Sequence, residues 1–442
     1  MSLKTAVASR FMAWLTGEER LRRARARVER KRRSSGAAHR IDYFHQVDDP
    51  YAHLAVQALL ALRERYQVEI VPHLVGPPAD WAAPERELLK AYARLDAVRL
   101  ADKAGLHFVD PGRQPAASRL QAASAALAAR LGAADFFDAA TEIGGALWAD
   151  GDIPAESADV AAAIAAGEAR RQALGHFMSA MIYYGGEWYW GVDRLHYLEA
   201  RLVELGARKP AAPARPVYLE PSVPAVGTGA RANQGSLATT ATLHFYLSFR
   251  SPYTYLATER VKALADAYGA DLQLRFVLPM VMRGLPVPRM KGIYFAQDAA
   301  REGRRLGVPF GRIADPVGTP VERGYSLLPW ARDQGRGYEY CRAFLRAVWS
   351  EGVDAGSDAG LRRIVTAAGL DWRAAAPLVG NDAWRAEAEA NRAEMLALGL
   401  WGVPCLRVDD LAVWGQDRLW VIEDQLQRLA LDDAAEGTDE RP

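Results

Sequence analysis

The sequence predicts an α/β protein made of two tandem domains, each a small sheet carrying a helical insertion. With half of its 442 residues hydrophobic, the chain exceeds one ordinary core and suits two domains of roughly 150 to 200 residues each. It also repeats itself. Pro252-Tyr253 follows Pro50-Tyr51 by 202 positions. At that same offset Leu54-Ala55, Tyr92, Asp96, Arg99, Gly105 and Phe108 fall on Leu256-Ala257, Tyr294, Asp298, Arg301, Gly307 and Phe310. Farther on, Trp190-Gly191-x-Asp193-Arg194-Leu195 parallels Trp414-Gly415-x-Asp417-Arg418-Leu419 at an offset of 224. The first copy is therefore the shorter ahead of its last segment.

Residues 1–40 stand apart as a basic arm, because 20–33 is dominated by arginine and runs into Ser34, Ser35 and Gly36. Phe11, Met12, Trp14 and Leu15 ahead of that run are able to seat a short amphipathic helix on an anionic membrane or a partner. The plainer reading, a solvated helical arm with a frayed start, is preferred. Each copy then opens with an apolar strand pattern, 41–44 and 243–249, followed by a Pro-led turn and a helix. A second strand follows, 68–75 and 272–278, and strand-helix-strand implies a right-handed crossover onto a parallel pair. The middle of each copy is alanine-rich and helical. In the second copy Tyr294, Asp298 and Arg301 share one helix face there. A short strand pair and an amphipathic helix close each copy. That order is two tandem thioredoxin-like domains, each with a helical insertion, at 41–207 and 241–431. Between them 208–240, rich in Pro and Gly, reads as a linker, and 432–442 reads as an acidic disordered tail.

A formal net charge of +1 argues against nucleic acid as the partner of the folded part. Cys341 and Cys405 are the whole cysteine complement, so there is no disulfide framework, no structural zinc set and no Cys-x-x-Cys pair. His45, His53, His73 and His176 lack metal-ligand spacing, and no metal is expected. There is no apolar run of about 20 residues and no secretory signal pattern. The expectation is a cytoplasmic protein.

In the second copy the motifs become specific. Ser251-Pro252-Tyr253-Thr254-Tyr255-Leu256-Ala257, Lys291-x-x-Tyr294-x-x-x-Asp298-x-x-Arg301 with Leu306-Gly307-x-Pro309-Phe310, and Gly402-Val403-Pro404 with Trp414-Gly415-Gln416-Asp417-Arg418-Leu419 occur in order. Together they resemble the 2-hydroxychromene-2-carboxylate isomerases and kappa-class glutathione transferases of the DsbA-like thioredoxin-fold family. The likeness covers nearly the whole second copy and implies glutathione as cofactor.

Ser251 sits where a strand ends and a helix starts, and free N–H groups there favour an anion. Dithiol thioredoxin folds carry cysteines at the positions of Ser251 and Thr254, so here the sulfur must come from elsewhere. A hydroxyl donor at that place stabilises a thiolate; an ordinary N-cap serine is the alternative. Pro404 is by resemblance a cis-proline, and Val403 before it offers backbone hydrogen bonds to an extended peptide. By the same resemblance Asp417 meets the γ-glutamyl ammonium of glutathione with help from Gln416, and Lys291 reaches the peptide's carboxylate end. A capping carboxylate and a solvated helix charge are the respective alternatives. One departure is Gly284-Leu285, where the family shows Gly-Asn.

The first copy has lost these groups. Asp49 replaces Ser251, Ala180 replaces Pro404 and Met178 replaces Gly402, while Asp193 and Arg194 persist. The first copy reads as a non-catalytic domain that packs on the second as an intramolecular pseudo-dimer. The functional expectation is a glutathione-dependent isomerase acting on an aromatic-derived, small-molecule electrophile by reversible thiolate addition. A kappa-like transferase and a non-catalytic scaffold are the alternatives.

Overall fold

The structure is a computed structural model, and it describes residues 3–218 and 239–439. The chain divides into two compact units, 21–221 and 1–20 together with 222–442. Two helices come first, α1 (Leu3–Thr16) and α2 (Glu18–Ser34). Residues 39–207 then run β1 (His39–His45), α3 (Pro50–Arg65), β2 (Val68–Leu74), α4 (Arg86–Ala104), α5 (Ala117–Ala129), α6 (Phe136–Trp148), α7 (Val160–Leu174), β3 (Met181–Tyr184), β4 (Glu187–Trp190) and α8 (Leu195–Glu204). The C-terminal half opens β5 (Thr242–Leu247), α9 (Pro252–Tyr268), β6 (Asp271–Phe276) and α10 (Arg289–Leu306). It continues α11 (Thr319–Asp333), α12 (Gly337–Trp349), α13 (Asp358–Ala367), α14 (Trp372–Ala375), α15 (Trp384–Ala397), β7 (Cys405–Val408), β8 (Leu411–Trp414) and α16 (Leu419–Asp439).

The two sheets have the orders β2-β1-β3-β4 and β6-β5-β7-β8. In each, the first two strands are parallel and the rest antiparallel. The central strands β1 and β5 are buried along nearly their whole length, as strands covered on both faces require. The same device starts the helix after each of them. A side-chain oxygen caps it, Asp49 for α3 and Ser251 for α9, with proline at the first helical position, where its missing N–H costs nothing.

Three expectations are corrected. The N-terminal arm is not simply solvated: Ser9 and Thr16 of α1 are buried, Met12 packs on the core of the C-terminal half, and Arg304 donates to the Thr16 carbonyl at 3.0 Å. In α2, Arg25 grips both oxygens of Glu187 at 2.7 and 2.8 Å. The tail from Asp432 is helical as far as Asp439, because Leu419, Ile422, Leu426 and Ala430 form a buried helical stripe that carries the helix onward. The last three residues lie outside the described ones. Of the expected linker, 219–238 likewise lies outside them, but its start is held by the first unit. The Val217 and Tyr218 N–H groups donate to the buried Glu199 carboxylate at 2.8 and 2.7 Å.

Candidate functional site

The site grows from the loop between β5 and α9. Ser251 has extended backbone angles and only 9% exposure. Its Oγ accepts from the Thr254 N–H at 3.1 Å and donates to the Val403 carbonyl at 3.2 Å. The helix-cap alternative is thus realised, and the same hydroxyl joins the start of α9 to the segment ahead of β7. There the Val403–Pro404 peptide is cis, the one such bond among the described residues. The Pro404 carbonyl accepts from the Gly415 N–H at 2.9 Å, which ties this segment to the turn bearing Gln416 and Asp417. Gly402 must be glycine, since a Cβ there would come within 2.8 Å of the Trp414 ring. Trp401 packs on Trp414 with centroids 4.8 Å apart, and its indole N–H is buried without a hydrogen-bond partner.

Asp417 lies on the 3-10 turn Gln416–Arg418 that leads into α16. Gln416 is 2% exposed, and its Nε2 donates to Asp417 Oδ1 at 2.7 Å and to Glu302 Oε2 at 3.0 Å. Arg260 of α9 donates to Gln416 Oε1. Glu302, fully buried, pairs with Arg305 at 2.8 Å. The Asp417 carboxylate is therefore aimed by an amide that two helices hold in place. Lys291, expected as a possible solvated charge, is instead buried at 4% exposure, with Nζ 5.9 Å from the Phe295 ring centroid. Burial pushes its ammonium down to about 8, because charge is disfavoured away from water. Phe295 meets Tyr253 edge-on at 5.9 Å, so Lys291 stands one aromatic ring away from the first turn of α9. Tyr253 donates to Asp298 at 2.8 Å, and Asp298 pairs with Arg301 at 2.6 Å. Of the Tyr294, Asp298 and Arg301 face read from the sequence, Asp298 and Arg301 pair with each other, and the tyrosine that bonds to Asp298 is Tyr253 of α9. Leu285, where the family shows asparagine, is half-buried.

Both thiols are buried, and burial pushes both well above the ordinary range. The Cys405 thiol donates to the Gly402 carbonyl at 2.7 Å, so nothing in its surroundings activates it. Among the described residues no group of His, Cys, Asp or Glu could hold a metal ion.

The family profile of the DSBA-like thioredoxin domain matches residues 242–427. These residues form a DSBA-like thioredoxin domain. The chain is 27% identical to a 2-hydroxychromene-2-carboxylate isomerase of Sphingobium xenophagum over 42% of its own length and 98% of the relative's. It is 23% identical to an enzyme of the same name from Pseudomonas putida, over 43% and 96%. A solved structure of 2-hydroxychromene-2-carboxylate isomerase aligns at 24% identity and a TM-score of 0.38, covering 44% of this chain and 98% of that one. The sheet of the DSBA-like domain brings Ser251, Val403 and Pro404 into direct contact, and joins Gln416 and Asp417 to them through Gly415.

Sequence reasoning missed Arg260, Glu302, Arg305 and Trp401. A signal for two of them was available in the residues that match at fixed offsets. At offset 202 Arg260 and Glu302 fall on Ala58 and Leu100, and at offset 224 Gln416 falls on Val192. The first copy keeps apolar residues where the second has a polar network, and Leu100 packs with Val192.

In the first copy Asp49 caps α3 by accepting from the Tyr51 N–H at 2.9 Å. Ser179, the counterpart of Val403, donates to Asp49 at 2.6 Å. Burial pushes the Asp49 carboxyl up to about 6, against the hydrogen bonds from Ser179 and Tyr51 that lower it. In place of cis-Pro404 stands Ala180 at φ 53°, in the left-handed region that a side chain seldom occupies.

Proposed function

We propose that the DSBA-like domain binds glutathione and catalyses a glutathione-dependent isomerisation of the 2-hydroxychromene-2-carboxylate isomerase type on an aromatic-derived electrophile. The observation that carries this reading is the meeting of the Ser251 hydroxyl, the first turn of α9 and the Val403–Pro404 backbone in one place. Relatives whose printed name is that enzyme, matched over nearly their whole length, support it.

The residues fit the cofactor. The buried Trp401 N–H awaits an acceptor, and a half-buried carboxylate, Asp417, is aimed for an ammonium. Val403 precedes the cis-proline, where an extended tripeptide is able to add as a short strand. Lys291 supplies a cation on the far side of Phe295. Bound glutathione supplies a sulfur nucleophile whose reversible addition turns a double bond of the substrate into a rotatable single one. Ser251 turns its hydroxyl from Val403 toward the sulfur and holds it as thiolate, assisted by the positive end of α9. Asp417 and Lys291 hold the two ends of the tripeptide, and Gln416 keeps the aspartate in place. Leu285 in place of asparagine removes one amide contact, so affinity rests more heavily on Asp417.

Under the same proposal residues 41–207 are a second, degenerate thioredoxin-like domain that serves as the non-catalytic half of a pseudo-dimer. The matching strand orders and the shared Tyr51–Asp96 and Tyr253–Asp298 hydrogen bonds, both 2.8 Å, support it. A reducing cytoplasm suits a chain whose two thiols are both free.

Calorimetry with glutathione on the full-length protein, paired with an assay of 2-hydroxychromene-2-carboxylate interconversion with and without glutathione, tests the reading. Binding that Asp417→Ala weakens, with turnover only when glutathione is present, supports it. A product that retains the sulfur turns it into a kappa-like transferase. Absence of any heat or thermal shift with glutathione sinks the enzymatic reading and leaves a thioredoxin-fold scaffold.

A further inference from the structure

Successive residues of a strand face opposite sides of its sheet. In β5, Leu243, Phe245 and Leu247 belong to the hydrophobic core of the C-terminal half, which leaves His244 and Tyr246 to the other side. Pairing sets Arg407 of β7 beside His244 and Arg275 of β6 beside Tyr246, and residues paired across strands share a face. Two guanidinium groups, an imidazole and a phenol are thus gathered over three neighbouring strands. Among the described residues one carboxylate pairs with these arginines, that of Glu394 on α15, 2.8 Å from Arg407 and 4.0 Å from Arg275. Asp271, at the exposed start of β6, accepts from Gln273 at 2.6 Å. The cluster carries two arginines against one acid, a surplus of one positive charge.

Three of its donors also lack an acceptor. Arg275 Nε donates to His244 Nδ1 at 3.1 Å, which puts the proton of the neutral ring on Nε2. That nitrogen lies 2.9 Å from Arg407 Nη2, so donor faces donor. Burial and the two guanidinium groups hold the imidazole below its ordinary pKa, so a second ring proton does not relieve the conflict. Arg407 Nε is buried with no hydrogen-bond partner. Tyr246 is fully buried, and its hydroxyl lies near the Glu394 carboxylate yet bonds to no described residue. Burial raises the phenol well above its ordinary range, so it keeps its proton to donate. Buried donors without acceptors are costly and rare. Surplus positive charge and converging donors together match an acceptor that is itself negative. The side chains of Arg275, Glu394 and Arg407 are 32%, 32% and 22% exposed, so the cluster is open to an ion from solvent.

We propose that this face of the sheet binds a small oxyanion, a phosphate group or a carboxylate, between Arg275 and Arg407, with the Tyr246 hydroxyl and His244 Nε2–H donating to it. Glu394 competes with the anion for Arg407. The site is separate from the Ser251 turn, which follows the end of β5 while His244 lies near its start, and it does not depend on what that turn binds.

Titration of the full-length protein with sodium phosphate and, separately, with sodium acetate, read by calorimetry and thermal melting at an ionic strength fixed with sodium chloride, tests the proposal. The wild type is expected to bind at least one of them saturably and to melt higher with it. The tighter of the two tells a phosphate site from a carboxylate site. Arg275→Gln should weaken that binding by about tenfold or more, the loss of a charge-assisted hydrogen bond. Tyr246→Phe should weaken it by a similar factor, yet melt no lower than the wild type without ligand, because the hydroxyl it removes has no partner. Glu394→Gln should tighten it by roughly fivefold, since a nearby like charge is gone. Neither anion acting beyond sodium chloride overturns the proposal, as does binding that Arg275→Gln and Tyr246→Phe leave unchanged. A ligand-free Tyr246→Phe protein that melts well below the wild type would show the hydroxyl satisfied within the fold, and overturns it too.

Discussion

Ser251 makes two demands on one hydroxyl, and substitutions separate them. In the structure Oγ caps α9 through the Thr254 N–H and donates to the Val403 carbonyl. Ser251→Ala removes the cap acceptor, a loss of about 1 kcal/mol. For a domain of this size that lowers Tm by roughly 2 to 4 °C. Ser251→Gly costs only a few tenths of a kcal/mol, on the order of a degree or less, because glycine is itself an acceptable cap. Under the proposed function both variants lose the donor to the bound sulfur equally. A hydrogen bond to a charged group contributes about 1.5 to 3 kcal/mol. At 1.36 kcal/mol per unit this corresponds to a rise of roughly one to two units in the pKa of the bound thiol. The assay is a pH titration of thiolate absorbance for glutathione on each protein, beside its thermal melt. The expected pattern is unequal melting temperatures and equally raised thiol pKa values. A bound-thiol pKa that is the same in all three proteins would refute the thiolate role and leave Ser251 as a helix cap alone.

Three further outcomes follow from the buried charges. Asp49 has a folded pKa of about 6, raised from 3.8, so the folded first unit holds a proton that the unfolded chain has lost, and stability falls as pH rises between those values. Asp49→Asn, which keeps an oxygen for the cap, should stabilise the protein above pH 6 by up to ~3 kcal/mol, less for screening of a half-buried group. Urea denaturation on either side of pH 6 measures this, and no gain at the higher pH would refute it. Glu302→Gln takes a buried carboxylate from Arg305 and a charged acceptor from Gln416. It should cost about 3 kcal/mol in denaturation and weaken glutathione binding through Asp417; a loss under ~1 kcal/mol would mean the pair contributes little. Lys291, lowered from 10.5 to about 8 by burial, leaves the folded state with fewer protons than the unfolded chain between those values, so wild-type stability rises with pH across that window. Lys291→Met should lack that rise and melt higher near neutrality, yet bind glutathione more weakly, as calorimetry would show; a lower melting temperature would argue that the ammonium is well paired.

Much of the C-terminal half is legible in its sequence because the signals are local. Pro-led helix starts, glycine at the helix ends, and apolar runs at strand spacing specify βαβ and ββα in order, and the structure has β5-α9-β6 and β7-β8-α16 there. Strand ends moved by a residue or two. Phe249, for example, has strand-like chemistry but lies beyond β5, against Phe344 and Tyr325 in the core. The acidic tail was misread because composition alone does not reveal that a buried stripe upstream carries a helix through it. Of the site, the residues in motif blocks were visible, whereas Trp401 was not, since a tryptophan looks the same exposed or buried, and Arg260 and Glu302 stand out only against Ala58 and Leu100 at offset 202.

By itself the sequence determined the order of elements in the DSBA-like domain and the identities at offsets 202 and 224, with Asp49 and Ala180 at the positions that match Ser251 and Pro404, since each is written in residue type and spacing along the chain. Only the tertiary structure decided that Ser251 bonds to Val403, 152 positions away, that Lys291 is buried, and that Gln416 is clamped by α9 and α10. It also decided which face of α1 looks outward. Burial and hydrogen bonding depend on which surfaces meet when strands and helices distant in sequence pack together, and two helix faces of similar apolarity are told apart only by the neighbour that covers one of them.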